Sequence, residues 1–171
     1  MNDPKVMRAN FDGSKVETLV SDNLLSPVGI TLDPSNSKVY FSDRYANNIK
    51  RANLDGTDVE IVVKDTEYPV DLVIDYKTRS LYWTARKACA IYRADVDGND
   101  IDGTSLSPLI TGIQAPIGVT IDLENNKLYY TEVISSKQSG HIWQSDMDGT
   151  NARKIVTTQL PLGLFYSKKQ G

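Results

Sequence analysis

The sequence predicts an all-β chain built from repeated four-stranded antiparallel sheets, and three observations predict it. An aromatic segment recurs as Val39-Tyr40-Phe41-Ser42-Asp43, Leu81-Tyr82-Trp83-Thr84 and Leu128-Tyr129-Tyr130-Thr131-Glu132, with its tyrosines 42 and 47 residues apart. Asp-Gly pairs at Asp12, Asp55, Asp97 and Asp148 keep the same beat. Pro27-Val28-Gly29, Pro116-Ile117-Gly118 and Pro161-Leu162-Gly163 form a further series, with Pro69-Val70-Asp71 as the copy that lacks glycine. Four markers in one order, counting Val6-Met7-Arg8-Ala9, Ile49-Lys50-Arg51-Ala52, Ile91-Tyr92-Arg93-Ala94 and Ile142-Trp143-Gln144-Ser145, define an internal repeat.

Apolar residues alternate with period two throughout, and no segment carries a helical period. Strands are expected at 6–10 and 16–20 around the turn Asp12-Gly13-Ser14, because Asp-Gly accepts the positive φ of a tight hairpin. The first full unit has strands at 28–32, 38–42, 49–53 and 59–63. The second has 71–75, 80–84, 90–95 and 108–111, and the third has 117–122, 127–131, 141–146 and 153–157. A last strand is expected after Pro161, which makes fifteen. The second-to-third loop of the third unit, 132–140, is the long one. Asp33, Asp75 and Asp122 recur at the end of each first strand, where an aspartate starts a turn.

A lone meander of this kind leaves two apolar faces, and packing meanders face to face around an axis buries both, so the expected fold is a β-propeller. The expected blades are 27–63, 69–111 and 116–157, with 1–20 and 161–167 as one partial blade, about 3.5 to 4 blades in a single domain over 1–171.

The motifs Tyr40-Phe41-Ser42-Asp43 and Leu81-Tyr82-Trp83-Thr84, with the run Ile49-Lys50-Arg51-Ala52-Asn53-Leu54-Asp55-Gly56-Thr57, resemble low-density lipoprotein receptor class B repeats, also called YWTD repeats. The resemblance covers essentially the whole chain. It implies a six-bladed propeller of roughly 250 residues, so that this chain of 171 is partial and lacks N-terminal blades. Two copies completing one ring, or a distorted four-bladed ring, are the other solutions, and open blade edges invite self-association. Within the family the motif aspartate ties neighbouring strands together, a role that matching gives only to Asp43, since Ala85 and Glu132 occupy the other two positions. The blade holding Ala85 is expected to be looser.

Composition narrows the function. A net charge of −3 with scattered lysines and arginines carries no footprint for nucleic acid. No apolar run is long enough to insert in a membrane. Cys89 is the lone cysteine and offers no disulfide framework. The acidic run Asp95 to Gly103 has calcium-loop character, but Asp100 and Leu106 stand where an EF-hand needs glycine and glutamate, so a polar hairpin tip is the better reading. His141, the single histidine, has no triad context with Ser139 or Cys89. No catalytic residue, metal or cofactor is assigned.

The expected function is protein binding by a receptor-like or secreted propeller, in an extracellular or cell-surface setting that the resemblance implies. A protein or peptide ligand would dock on the variable loop face through Arg44, Tyr45, Tyr68, Arg86, Lys87 and Glu132, because aromatic and arginine side chains among charges suit interfaces. Two alternatives stand beside it. One is a calcium-dependent lactonase-like hydrolase, for which Asp71 is the channel carboxylate that departs from the repeat. The other is a structural repeat segment without a ligand of its own.

Overall fold

The computed structural model describes residues 3–97, 106–134 and 138–167. The described residues form fourteen strands, all paired antiparallel. β1 (Val6–Arg8) and β2 (Glu17–Val20) make a two-stranded sheet. The second sheet is β3 (Pro27–Asp33), β4 (Lys38–Asp43), β5 (Asn48–Asn53) and β6 (Glu60–Val63), with a single 3-10 turn, Pro34–Asn36, after β3. The third is β7 (Pro69–Asp75), β8 (Ser80–Ala85), β9 (Ala90–Asp95) and β10 (Pro108–Thr111). The fourth is β11 (Pro116–Asp122), β12 (Lys127–Ile134), β13 (Ser139–Asp146) and β14 (Arg153–Thr158). Strands neighbour one another in chain order within every sheet, so each is a meander and the chain is a run of propeller blades.

Turn chemistry sets the hairpins. Gly13, Gly56 and Gly149 have φ of 79°, 88° and 83°, the left-handed region that a Cβ disfavours. The aspartate before each one, Asp12, Asp55 and Asp148, accepts the N–H and the hydroxyl of Ser14, Thr57 and Thr150 respectively. The fourth Asp-Gly turn, and with it most of the acidic run 95–103, lies outside the described residues.

One device repeats in all three complete blades. Each first strand carries a bulge, between Pro27 and Ile30, Pro69 and Leu72, and Pro116 and Val119. The N–H displaced from the ladder there goes to the last hydroxyl of the aromatic motif: Gly29 to Ser42 (2.9 Å), Asp71 to Thr84 (3.1 Å) and Gly118 to Thr131 (2.8 Å). Ser42 and Thr84 then donate to the next blade, to the carbonyls of Val70 (2.8 Å) and Ile117 (2.9 Å). A buried hydroxyl thus satisfies its own blade and clips the following one.

Packing between blades supplies the core. One cluster joins Tyr40, Ile49 and Val63 to Leu72, Ile74, Leu81 and Trp83, and the next joins Tyr82 and Ile91 to Val119, Leu128 and Tyr130. Leu72 and Ile74 on β7 are 2% and 4% exposed, whereas their counterparts Ile30 and Leu32 on β3 are 52% and 55% exposed. Their packing partner is the reason, since the first sheet has only the two strands equivalent to the outer pair of a blade. Ile30, Leu32 and Leu72 line a groove of about 670 Å³ with Met7, Asp71, Leu164 and Phe165.

Two expectations are corrected. Residues 161–167 form no strand, because no second strand stands beside them among the described residues and Pro161 has no N–H to donate. The segment still lies against β11, with Leu164 N at 3.0 Å from where a Cβ on Gly118 would sit. The long loop expected at 132–140 is mostly ladder: Glu132 pairs with His141, Val133 with Gly140 and Ile134 with Ser139.

The close approach of blades predicts a size limit at Gly29. A Cβ there would lie 2.4 Å from Val70 O and 2.8 Å from Leu72 Cδ2. Gly29→Ala must push two backbones apart, and thermal unfolding should show a loss of roughly 1–3 kcal/mol.

Candidate functional site

The second-strand to third-strand loops and the first-strand entries emerge together, and this face gathers most of the expected docking residues. Arg44 follows β4, and its guanidinium lies over the rings of Tyr45 (4.8 Å) and Tyr68 (5.1 Å). The two rings meet edge to face at 5.6 Å. Tyr68 belongs to the entry of the next blade, where its N–H donates to Asn47 Oδ1 at 2.9 Å and its carbonyl accepts from Arg86 N at 3.0 Å. Cation–π contact and a backbone link therefore hold a three-residue cluster across a blade boundary.

Tyr45 is 56% exposed, and the buried Arg44 Nε finds no acceptor among the described residues. The adjacent Tyr45 hydroxyl raises the Tyr68 pKa, with burial adding to it. Arg86 is half-buried and Lys87 exposed beside it, with Lys87 N bonded to Glu67 O.

Glu132 does not belong to this cluster. It is buried, with 9% of its surface exposed, and its carboxylate accepts from Gln114 N and Trp143 Nε1, each at 3.0 Å. This corrects both the expectation that Glu132 meets a ligand and the restriction of the strand-tying role to Asp43. Asp43 accepts from Leu25 N, Ser26 N and Lys50 Nζ. The two positions pair equivalently with Pro27 and Pro116, and Lys50 and Trp143 occupy equivalent places on the third strand. A longer side chain with an indole partner replaces a shorter one with an ammonium partner.

Asp71 faces the groove, but its carboxylate is already engaged. Oδ2 accepts from Val119 N of the next blade at 3.0 Å, and Oδ1 accepts from Leu72 N at 3.0 Å. Among the described residues no three His, Cys, Asp or Glu side chains gather closely enough to hold a metal. Asp75 and Asp122 serve their turns, Asp75 accepting from Lys77 N and Thr78 and Asp122 from Glu124 N and Asn125, while Asp33 accepts from Asn36 and from Arg79 of the next blade. His141 Nδ1 sits 3.1 Å from Thr157 Oγ1, and Cys89 is exposed in a turn. No helix among the described residues is long and apolar enough to cross a membrane.

The two engaged carboxylates respond oppositely to pH. Burial pushes Asp43 up, but the Lys50 ammonium and the Ser26 and Leu25 amides outweigh it and leave the carboxyl below its ordinary value. Its stabilising contribution is complete above the unfolded value of about 4 and disappears as pH falls through the lower folded value. Asp43→Asn leaves Lys50 buried without its counter-charge, and denaturation at neutral pH should show a loss of about 3–5 kcal/mol. Burial raises Asp71 despite the Val119 and Leu72 amides. Asp71 therefore favours the fold below about pH 4 and loses that contribution as pH rises through its folded value. Asp71→Asn removes the charge but sets its NH2 against one of the two backbone N–H donors, so stability at neutral pH should change little while its difference between acid and neutral melts shrinks.

Comparison with known proteins agrees with this architecture. The family model described as low-density lipoprotein receptor repeat class B matches residues 1–34. Low-density lipoprotein receptor-related protein 5 of Mus musculus is 32% identical over 177 residues, which covers 91% of this chain and 10% of that protein. The vitellogenin receptor Yl of Drosophila melanogaster is 26% identical over 169 residues, 96% of this chain and 8% of that one. The chain thus spans a small part of these receptors. A solved nidogen/laminin complex superposes with a TM-score of 0.79 at 26% identity, covering 92% of this chain and 60% of that one. A gluconolactonase from Xanthomonas campestris shares the fold at 16% identity and a TM-score of 0.62. With its repeated motif, bulged first strands and blade-clipping hydroxyls, the chain belongs to the low-density lipoprotein receptor class B, or YWTD, repeat family of β-propellers.

Proposed function

We propose that this chain is the protein-binding propeller portion of a receptor-like or secreted protein, with its ligand docking on the loop face. The observation that carries the reading is the Arg44, Tyr45 and Tyr68 cluster at a blade boundary, in which an arginine whose buried Nε has no acceptor among the described residues packs over two tyrosine rings that touch each other edge to face. Stacking holds the three side chains in place before any ligand arrives, which lowers the ordering cost of binding. Tyrosine and arginine are also the residue types that dominate interface energetics.

Arg86 and Lys87 extend the cluster, giving the face a cationic rim suited to a peptide segment that carries acceptors. The setting is extracellular or cell-surface, as for the receptors that the chain resembles. The engaged state of Asp71 supports binding over hydrolysis. On this reading 1–20 and 161–167 belong to one partial blade, and the exposed Ile30 and Leu32 form a face through which the propeller associates.

The test is a binder selected from a panel of secreted proteins against the wild-type chain. Arg44→Ala and Tyr68→Ala should each weaken its affinity by tenfold or more, on the order of 1–2 kcal/mol. Thr57→Ala, on the Asp-Gly face, should leave affinity unchanged. The reverse pattern would move the docking site to the opposite face.

A further inference from the structure

The three complete blades place the same trio of positions on one face of their second and third strands, and one blade departs from the pattern. In the second sheet the trio is Phe41, Asp43 and Lys50, and in the fourth it is Tyr130, Glu132 and Trp143. In both, the carboxylate receives the third-strand donor and an amide of the entry loop. In the third sheet the trio is Trp83, Ala85 and Tyr92, so donors remain where the acceptor is missing.

The consequence is visible in the side chains. Trp83 and Thr66 are 1% and 4% exposed, and neither Trp83 Nε1 nor Thr66 Oγ1 has a hydrogen-bond partner among the described residues. Both line a cavity of about 190 Å³ with Asp65, Glu67, Tyr92 and Leu106. The corresponding cavity of the fourth sheet contains Glu132 in its wall. A buried polar group without a partner costs roughly 1–3 kcal/mol, so two on one cavity favour whatever supplies an acceptor.

The chemistry of the occupant follows from the gradient across the cavity. Donors lie at the buried end, while the carboxylates of Asp65 and Glu67 lie on exposed residues. Tyr92, stacked on Trp83 at 5.5 Å, and Leu106 give apolar wall between them. The volume exceeds that of one or two waters at about 30 Å³ each.

We propose that this cavity binds a small zwitterion, an α-amino acid. Its carboxylate accepts from Trp83 Nε1 and Thr66 Oγ1, and its ammonium faces Asp65 and Glu67. The site adjoins the protein-docking face, since Glu67 precedes Tyr68 and its carbonyl accepts from Lys87 N, but its lining shares no residue with the Arg44, Tyr45 and Tyr68 cluster.

The test follows the indole N–H resonance of Trp83 during titration with glycine, with acetate and with methylammonium. Trp143, whose indole is already bonded to Glu132, is the internal reference. Glycine should shift Trp83 saturably and leave Trp143 in place, with acetate and methylammonium each about tenfold weaker or more, as expected for one lost polar contact. Ala85→Asp, which restores a carboxylate on the face of Trp83, should raise the melting temperature and abolish the response. Glu67→Gln, at an exposed position that does not endanger folding, should weaken glycine about tenfold. No saturable shift of Trp83 would mean that solvent alone fills the cavity and would overturn the proposal. Equal affinity for acetate and glycine would remove the role of Asp65 and Glu67 and overturn the zwitterion.

Discussion

The hydroxyl at the end of the aromatic motif is the contact on which the propeller depends. A first strand next to a propeller axis must bend, and the bulge that bends it ejects one N–H from the ladder. That N–H would be an expensive orphan in a dry interior. Ser42, Thr84 and Thr131 accept it, and a hydroxyl that accepts can also donate, so Ser42 and Thr84 clip the next blade with the same group. Glycine at position 29 follows from this geometry, because the clip draws Val70 O to within 2.4 Å of a would-be Cβ.

Around that shared clip, the blades differ in how they tie the entry loop. Asp43 uses Lys50, Glu132 uses Trp143, and the blade with Ala85 has lost its acceptor and gained a cavity. Asp71 shows compensation of another kind. It stands where the repeat has glycine, and its carboxylate spans to Val119 N of the next blade, so a departure from the repeat became a link between blades. Repeat architectures accept such changes because each blade contacts only its neighbours.

The two faces of the propeller divide the labour. On one, Asp12, Asp55 and Asp148 close tight turns by bonding the residue two places on, which consumes their acceptors locally. On the other, loops vary in length and carry two arginines, two tyrosines and a lysine whose side chains do not close the turns.

Sequence by itself determined the repeat, the strand order, the Asp-Gly turns and the family, because each rests on local periodicity and on residues that act within a few positions of themselves. It also picked out Tyr45, Tyr68 and Arg44 singly from composition and placement. Only the tertiary structure decided that Arg44 packs over both rings, that Glu132 is a buried tie and not a surface anchor, and that Trp83 Nε1 has no acceptor among the described residues. Those facts are relations between residues mostly some ten to twenty-five positions apart, set by how strands and blades pack on one another. The missing strand at 161–167 has the same cause: its sequence suits a strand, but a strand exists only where another lies beside it to complete the ladder.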